Sequence, residues 1–324
     1  MRPTRERLFR LPLNGSLLRG ASLLFGIVVG GGLALFGTTT VTESRTYSAY
    51  GDPQKTAISF ILSNPQNVAQ LRERFALGDE EVKSILAAVR EENEIVAREY
   101  AKSERIVEAS EELPDERVKE KIVASDYDEV IRGAIANTKS TVEALLPKDS
   151  RSKLKAWVDN QWRQEVHEFE ASEGATFRVA GEPTFQAAAL GVRCRVFATQ
   201  YIGYTRYEVA LPHKKLKFDG GYRVRLRRGD HRVRRAPVKE VGPWNIRDNY
   251  WQSRRYRDMW DNLPRCTPEA RAAYFRNYNR GRDQFGRKVL NPAGVDLTPR
   301  VARKLGLRKY QNAWIYVRYP WVRR

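Results

Sequence analysis

The sequence predicts a multi-domain α + β fold with an N-terminal transmembrane helix, a helical bundle and a β-rich C-terminal half. A continuous apolar run, apolar residues at helical spacing, and alternating segments rich in β-branched and aromatic residues predict these three parts in turn. The expected boundaries are 1–19 for a cytoplasmic basic tail, 20–37 for the membrane anchor, 38–65 for a linker, 66–172 for a helical spacer and 174–324 for the β domain.

The membrane anchor is predicted from residues 20–37, which are apolar except for Ser22 and would span about 27 Å as a helix. Arginines precede this run, and the first charge after it is Glu43. The positive-inside rule therefore places the N-terminus in the cytoplasm and the bulk of the chain outside, as a single-pass membrane protein. A cleaved signal peptide is the alternative, and the protein is then secreted.

Charge is distributed unevenly along the chain. The net charge is +19, yet residues 51–150 hold 14 basic and 21 acidic residues, a net −7, so the remainder carries +26. An excess of this size favours a polyanionic partner such as nucleic acid, acidic lipid or an anionic cell-wall polymer. The expected export and the lack of an RNA-binding motif argue against nucleic acid. A basic surface that only keeps the protein soluble remains the alternative.

The acidic middle of the chain is predicted to be helical. Val82, Ile85 and Val89 recur at helical spacing after a run of acids that suits a helix N-terminus. Further helices are expected from 115 to about 122, from 128 to 146 and from 152 to 169. Because heptads are not sustained, the region is interpreted as a small bundle that spaces the domains or docks a protein partner.

Cysteine and histidine are scarce. The sequence has Cys194 and Cys266, no paired cysteine motif and three histidines, so neither a zinc site nor any other metal or cofactor is expected. If this part of the chain lies outside the cytosol, Cys194 and Cys266 are candidates for a disulfide. Two buried free thiols are the alternative.

The segment from Asn291 to Tyr319 predicts a turn, a strand, a short helix and a closing strand. Thr298 is expected to cap the helix, with Pro299 in its first turn and Gly306 at its end. Asp296 stands between two apolar residues at the junction of strand and helix. Because a buried carboxylate is costly, this residue is singled out for a functional role.

Strands are also expected before this segment, at 194–199, 207–211, 222–226 and 235–241, separated by glycine-containing turns. The outward positions of the third of these strands are arginines, which gives it a basic face.

Over roughly residues 191–319 these pieces resemble the double-psi β-barrel family of rare lipoprotein A and the expansins. The matching motifs are an Ala-Leu-Pro segment from Ala210, the loop Glu240-Val-Gly-Pro, and Val295-Asp-Leu-Thr followed by a helix and a strand. The loop acid is usually Asp in rare lipoprotein A relatives, and here it is Glu240. The resemblance implies a six-stranded double-psi barrel, interrupted here by an aromatic and arginine-rich insertion at about 244–293.

Some members of that family are lytic transglycosylases that cleave peptidoglycan with one carboxylic acid, which acts first as acid and then as base. The resemblance implies Asp296 and Glu240 as the catalytic candidates. A bound sugar is expected to stack on aromatic rings of the insertion, and a nearby arginine suits an anionic polymer. The candidate substrate-binding residues are Trp244, Tyr250, Trp251 and Arg247.

The sequence thus predicts a membrane-anchored, extracytoplasmic protein whose barrel binds cell-wall peptidoglycan and, by resemblance, cleaves it. Its expected partners are cell-wall glycan or another anionic polymer, the membrane, and a protein partner of the helical region. Two structural alternatives remain open at the site: Asp296 accepts backbone N–H bonds from the helix turn, and the aromatics form the core of the insertion. A non-catalytic envelope scaffold or a carbohydrate- or protein-binding module is the alternative function.

Overall fold

Helices dominate the first half of the part of the chain that the structure describes. The computed structural model describes residues 47–322 except 111, 173–190, 202, 204 and 219. The helices are α1 (Ala57–Ile61), α2 (Pro65–Arg74), α3 (Asp79–Glu108), α4 (Asp115–Val123), α5 (Tyr127–Leu145), α6 (Arg151–Ser172), α7 (Lys215–Phe218), α8 (Glu269–Arg276) and α9 (Pro299–Lys304).

Six strands of the second half close into a barrel. They are β1 (Val192–Gln200), β2 (Val209–Leu211), β3 (Arg223–Arg228), β4 (His231–Val241), β5 (Ala293–Leu297) and β6 (Ala313–Tyr319). The order around the barrel is β1-β5-β2-β4-β3-β6. The pairs β1–β5 and β2–β4 are parallel, whereas the other described pairs are antiparallel. The prediction of a six-stranded barrel is therefore confirmed.

The described part of the chain does not contain the predicted membrane helix. No helix in the described part of the chain is both long enough and apolar enough to cross a bilayer. The segment expected to do so, 20–37, lies outside the described residues, together with the basic tail before it. This finding contradicts the transmembrane helix of the predicted fold class and the predicted location as a single-pass membrane protein.

The helices predicted between 79 and 172 are confirmed as α3 to α6. Helix α3 has 30 residues and measures about 45 Å. Its first turn is acidic, and Glu81 accepts a hydrogen bond of 2.7 Å from the backbone N–H of Gly78, which satisfies one of the donors left open at a helix start.

The helices pack on the barrel through a hydrophobic cluster that includes residues of β1 and the insertion, while the barrel interior forms a second cluster. Phe60 on α1 lies at the centre of the first cluster, with ring contacts to Trp162 on α6, Phe197 on β1 and Tyr274 on α8 at centroid distances of 5.2–6.0 Å. Residues Tyr47–Arg324 accordingly form one compact unit. Part of the predicted linker, 57–61, is thus a buried helix, and the predicted spacer packs directly on the barrel.

The insertion predicted at about 244–293 lies between β4 and β5 and includes α8. A disulfide joins Cys266 of this insertion to Cys194 on β1, with the two Cα atoms 5.1 Å apart. The bond closes a loop of 72 residues and attaches the insertion to the barrel wall, which restricts the unfolded chain.

The C-terminal segment has the predicted order of elements, with Pro299 in the first turn of α9 and Gly306 just past its end at a φ of +70°. One detail differs. The Thr298 hydroxyl does not cap the helix but exchanges hydrogen bonds with the backbone of Glu208, donating to its carbonyl at 2.8 Å and accepting from its N–H at 3.0 Å. The threonine therefore attaches α9 to the loop before β2.

The hydrophobic cluster around Phe60, which the helices share with β1 and the insertion, predicts cooperative unfolding. Replacing Phe60 by Ala is expected to lower the free energy of unfolding by about 3–5 kcal/mol, because the cavity would lie between the helices and the barrel. Chemical denaturation followed by helical circular dichroism and by hydrogen exchange of the barrel amides measures this loss.

The matched control is Val123→Ala on α4, where the side chain is 76% exposed, with an expected change below about 0.5 kcal/mol. Both probes should report one transition for the native chain and for Phe60→Ala. Helices that melt in a separate, earlier transition while the barrel amides stay protected would contradict a shared cluster.

Candidate functional site

Four neighbouring strands place one polar row on the outer wall of the barrel. Residue pairing sets Thr199 beside Asp296, Asp296 beside Ala210, and Ala210 beside Glu240. The neighbours of Asp296 along β5, Val295 and Leu297, point into the barrel core. Because side chains alternate along a strand, Asp296 faces outward.

Helix α3 forms the opposite wall of a groove over this row. The groove has a cavity volume of about 620 Å³, within the usual range for ligand sites. Its α3 side includes Tyr100, Glu104 and Glu108. Its barrel side includes the whole polar row, with amides and aromatics at its margins, namely Asn291, Asn312, Tyr201, Tyr310 and Trp244. The groove thus combines carboxyl, amide and aromatic groups.

Asp296 lies deep in this groove, with a residue exposure of 5%. Thr199 Oγ1 donates a hydrogen bond to it, and among the described residues it is the only donor to this carboxyl. Burial raises the pKa of Asp296 to about 7; the Glu104 charge also raises it, while the Thr199 bond lowers it. The carboxyl therefore exchanges a proton near neutral pH. The alternative in which backbone N–H groups saturate it is not what the structure shows.

The Gly-Pro loop after β4 brings α3 close to Asp296. Gly242 has a φ of +132° and precedes a cis peptide bond to Pro243. A Cβ added at Gly242 would lie 3.3 Å from the Tyr100 hydroxyl and 3.7 Å from Asp296 Oδ2, so glycine permits this close approach as well as the backbone angle. The next residue, Trp244, donates its backbone N–H to the Tyr100 hydroxyl at 2.8 Å.

A buried arginine connects the two walls. The guanidinium of Arg287 is fully buried and donates to Glu104 on α3, to Asp283 of the insertion and to the carbonyl of Trp244. It also lies 5.0 Å from the centre of the Tyr100 ring. Because this one cation contacts α3, the insertion and the segment after the Gly-Pro loop, the position of α3 over the groove depends on it.

Glu240 lies in the groove wall but is engaged by a cation. Lys217 Nζ donates to its carboxylate at 2.7 Å, and its Oε1 also accepts from the backbone N–H of Val241 at 3.0 Å. Asp296 and Glu240 therefore line one groove in different surroundings: Asp296 accepts from a single hydroxyl, whereas Glu240 forms an ion pair with a lysine.

The four predicted substrate-binding residues lie in different parts of the structure. Trp244 lines the groove, although it is only 2% exposed. Tyr250 and Trp251 are buried and pack on Tyr319 in the barrel core, with the Trp251 ring stacked on that tyrosine at 4.9 Å. Arg247 forms an ion pair with Asp115 of α4 at 3.0 Å and is not among the groove-lining residues. A sugar cannot stack on Tyr250 or Trp251 in this structure.

Several groove residues were missed by the sequence reasoning. Tyr100 and Glu104 lie on α3, whose apolar spacing predicts a core-facing helix but does not say which surface it covers. Thr199 is not part of any sequence motif described above, and its contact with Asp296 arises only from the pairing of β1 with β5. The length of α3 and its many polar positions were the available signals, and they do not specify a site.

Comparison with known families adds one finding. Residues 186–318 are similar to a family described as a domain of unknown function (DUF8814). The matched range covers almost all of the barrel and its insertion but leaves out α3. No curated protein and no solved structure matches the chain. The resemblance to rare lipoprotein A and the expansins therefore stays a prediction.

The raised pKa of Asp296 predicts how stability depends on pH. The carboxyl holds its proton up to about pH 7 when folded, whereas 3.8 is its ordinary pKa. The stability linked to this proton is complete below pH 3.8 and is lost as pH rises to about 7. Replacing Asp296 by Asn should remove this loss, so the variant gains on the native chain by about 1.4 kcal/mol per pH unit within that window.

Urea denaturation of both chains at several pH values measures this difference. Asp261→Asn, which removes an exposed carboxyl outside the groove, is the matched control at the same pH values. A pH-independent difference for Asp296→Asn would show that its carboxyl titrates normally.

Proposed function

We propose that the groove between α3 and the barrel binds the glycan of the bacterial cell wall, and that Asp296 acts as the general acid that cleaves it. One observation carries this proposal: an acid with one hydrogen-bond donor and a pKa of about 7 lies in the wall of a groove that has room for a ligand. Such a group is protonated often enough at neutral pH to donate, and its conjugate base then accepts a proton.

The chemistry that fits one acid is an intramolecular transfer. Protonated Asp296 gives its proton to the glycosidic oxygen, and the bond from that oxygen to C1 of the muramic acid residue breaks. The C6 hydroxyl of the same residue forms a new bond to C1 and returns its proton to Asp296. The products are a free hydroxyl on the leaving sugar and a 1,6-anhydro ring, and no water is consumed. Hydrolases with a water or enzyme nucleophile need a second carboxyl group.

The other groove residues supply binding and positioning. The Thr199 hydroxyl holds the Asp296 carboxyl in place, and the ion pair of Glu240 with Lys217 forms a polar edge. Amide side chains such as Asn291 and Asn312 suit sugar hydroxyls, and Trp244 offers an aromatic surface at one end.

We also infer that the barrel is of the double-psi type. Two parallel strand pairs within an otherwise antiparallel closed sheet support this, as does the meeting of the Gly-Pro loop with Asp296 on one outer face. These are the two segments that carry the resemblance to the rare lipoprotein A family.

The first functional prediction concerns the product. The full chain incubated with purified peptidoglycan should release 1,6-anhydro-muropeptides, detected by mass spectrometry, and Asp296→Asn should reduce their rate by about a thousandfold or more. The full chain is needed because α3 forms one wall of the groove. Asp261→Asn should keep the native rate.

Two outcomes would decide against this assignment. Undiminished product from Asp296→Asn would show that another group donates the proton. Absence of product from the native chain, with co-sedimentation on peptidoglycan that a bulky Ala97→Trp substitution in the groove abolishes, would favour the non-catalytic binding module.

The second functional prediction concerns pH. Because Asp296 must be protonated to donate, kcat/KM should fall about tenfold per unit as pH rises above about 7. Thr199→Val removes a bond that favours the ionised form, so the alkaline limb of that profile should move to higher pH. A profile that is flat from pH 6 to about 9 in both chains would be inconsistent with Asp296 as the acid.

A further inference from the structure

The outer face of the β3–β4 hairpin is an arginine surface that the groove chemistry does not use. It consists of six residues, called here the arginine track: Arg223, Arg225, Arg227, Arg232, Arg234 and Arg235. All are exposed except Arg227, which is half-buried. Val224, Leu226 and Val233 fill the barrel core, so the alternation of the strands directs most of the arginines outward, and a register shift opposite Arg234 and Arg235 leaves both of these exposed.

The track is not neutralised within the described part of the protein. None of its six arginines forms an ion pair with any residue there. Strand pairing even sets Arg227 directly opposite Arg232, an arrangement of like charges that destabilises a sheet. A surface built in this way gains free energy when an anion lies across it.

The shape of the track limits the kind of anion. Exposed arginines on β3 repeat at every second residue, about 6.8 Å apart, and the two strands lie about 4.8 Å from one another. The same face continues onto β6, where Arg318 lies opposite Arg225, so the basic strip is three strands, or about 10 Å, wide. A strip of this width fits one linear chain of charges better than a nucleic-acid duplex, whose two backbones flank a groove about 12 Å wide. The track itself holds no aromatic side chain on which the bases of a single strand would stack, and Tyr316, opposite Arg227 on β6, is half-buried and already lies 4.9 Å from the Arg193 guanidinium.

The track also leads to the groove. Strand β4 runs from the hairpin tip at His231 past exposed Lys239 to Glu240, which lines the groove. From Arg235 to Glu240 the strand covers about 17 Å. A charged polymer attached to a glycan in the groove would therefore reach the track directly.

We propose that the arginine track binds the phosphodiester groups of a teichoic acid, a linear polyol phosphate chain attached to the wall glycan. The six cationic side chains are all arginine, whose planar guanidinium pairs with phosphate oxygens in a bidentate manner. The proposal rests on the proposed function for the glycan that the polymer accompanies, whereas the track's affinity for phosphodiester does not depend on Asp296.

The test compares two variants of the full chain with equal loss of charge. The track variant carries Arg225→Gln, Arg227→Gln and Arg232→Gln. The control carries Arg90→Gln, Lys153→Gln and Arg163→Gln on α3 and α6, exposed positions without an ion pair among the described residues. Both are titrated with purified poly(glycerol phosphate) and with walls before and after hydrofluoric acid removes the phosphodiester polymer but leaves the peptide carboxylates.

The track variant should bind poly(glycerol phosphate) and untreated walls at least about tenfold more weakly than the native chain, and the control should match the native chain. Native binding to stripped walls should fall by a similar factor. A third variant with Arg225→Lys, Arg227→Lys and Arg232→Lys keeps the charge but not the bidentate geometry, so it should bind more tightly than the track variant, which separates lost charge from misfolding.

Three results would overturn the proposal: equal losses in the track variant and the control, unchanged native binding to stripped walls, or tighter native binding to duplex or single-stranded DNA than to poly(glycerol phosphate) at the same salt concentration. The last would assign the track to nucleic acid. Failure of glycan cleavage leaves the titration with purified polymer unaffected, so the two proposals fail separately.

Discussion

The fully buried guanidinium of Arg287 is the contact on which the groove depends. It joins Glu104 on α3 to Asp283 in the insertion and to the carbonyl of Trp244 after the Gly-Pro loop. A buried arginine is tolerable only when its donors are satisfied, and here both carboxylates and a carbonyl satisfy them. The pairing therefore fixes α3 on the barrel, and removing one partner would leave an uncompensated charge in the core.

This placement creates a site that neither part of the protein has alone. The barrel contributes the outward row that includes Asp296 and Glu240, and α3 contributes the wall that removes water from it. Burial beneath α3 is also the main cause of the raised pKa of Asp296, so the chemistry depends on the packing. The strongly basic β3–β4 face and this carboxyl-bearing groove lie along one continuous strand, β4.

The sequence predicted the fold locally better than it predicted the site. Spacing such as that of Val82 and the acids before it predicts α3, because a helix follows from periodicity and end chemistry. The sequence indicated Asp296 as a functional candidate because a carboxylate between two apolar residues is costly to bury. The aromatic content of the insertion did not distinguish a binding surface from a core, and Trp251 proved to be core. Arg287 could not be predicted, since its burial depends on contacts with residues far away in the chain.

The central claim is that a glycan lies between α3 and the barrel with its scissile oxygen at residue 296. A crystal structure of the full-length Asp296→Asn variant soaked with an uncleaved peptidoglycan tetrasaccharide tests this most directly. Sugar density is expected along the groove, with a glycosidic oxygen within hydrogen-bonding distance, about 3 Å, of the Asn side chain. Density on another face of the barrel, or a groove that stays empty while the sugar binds elsewhere, would contradict it.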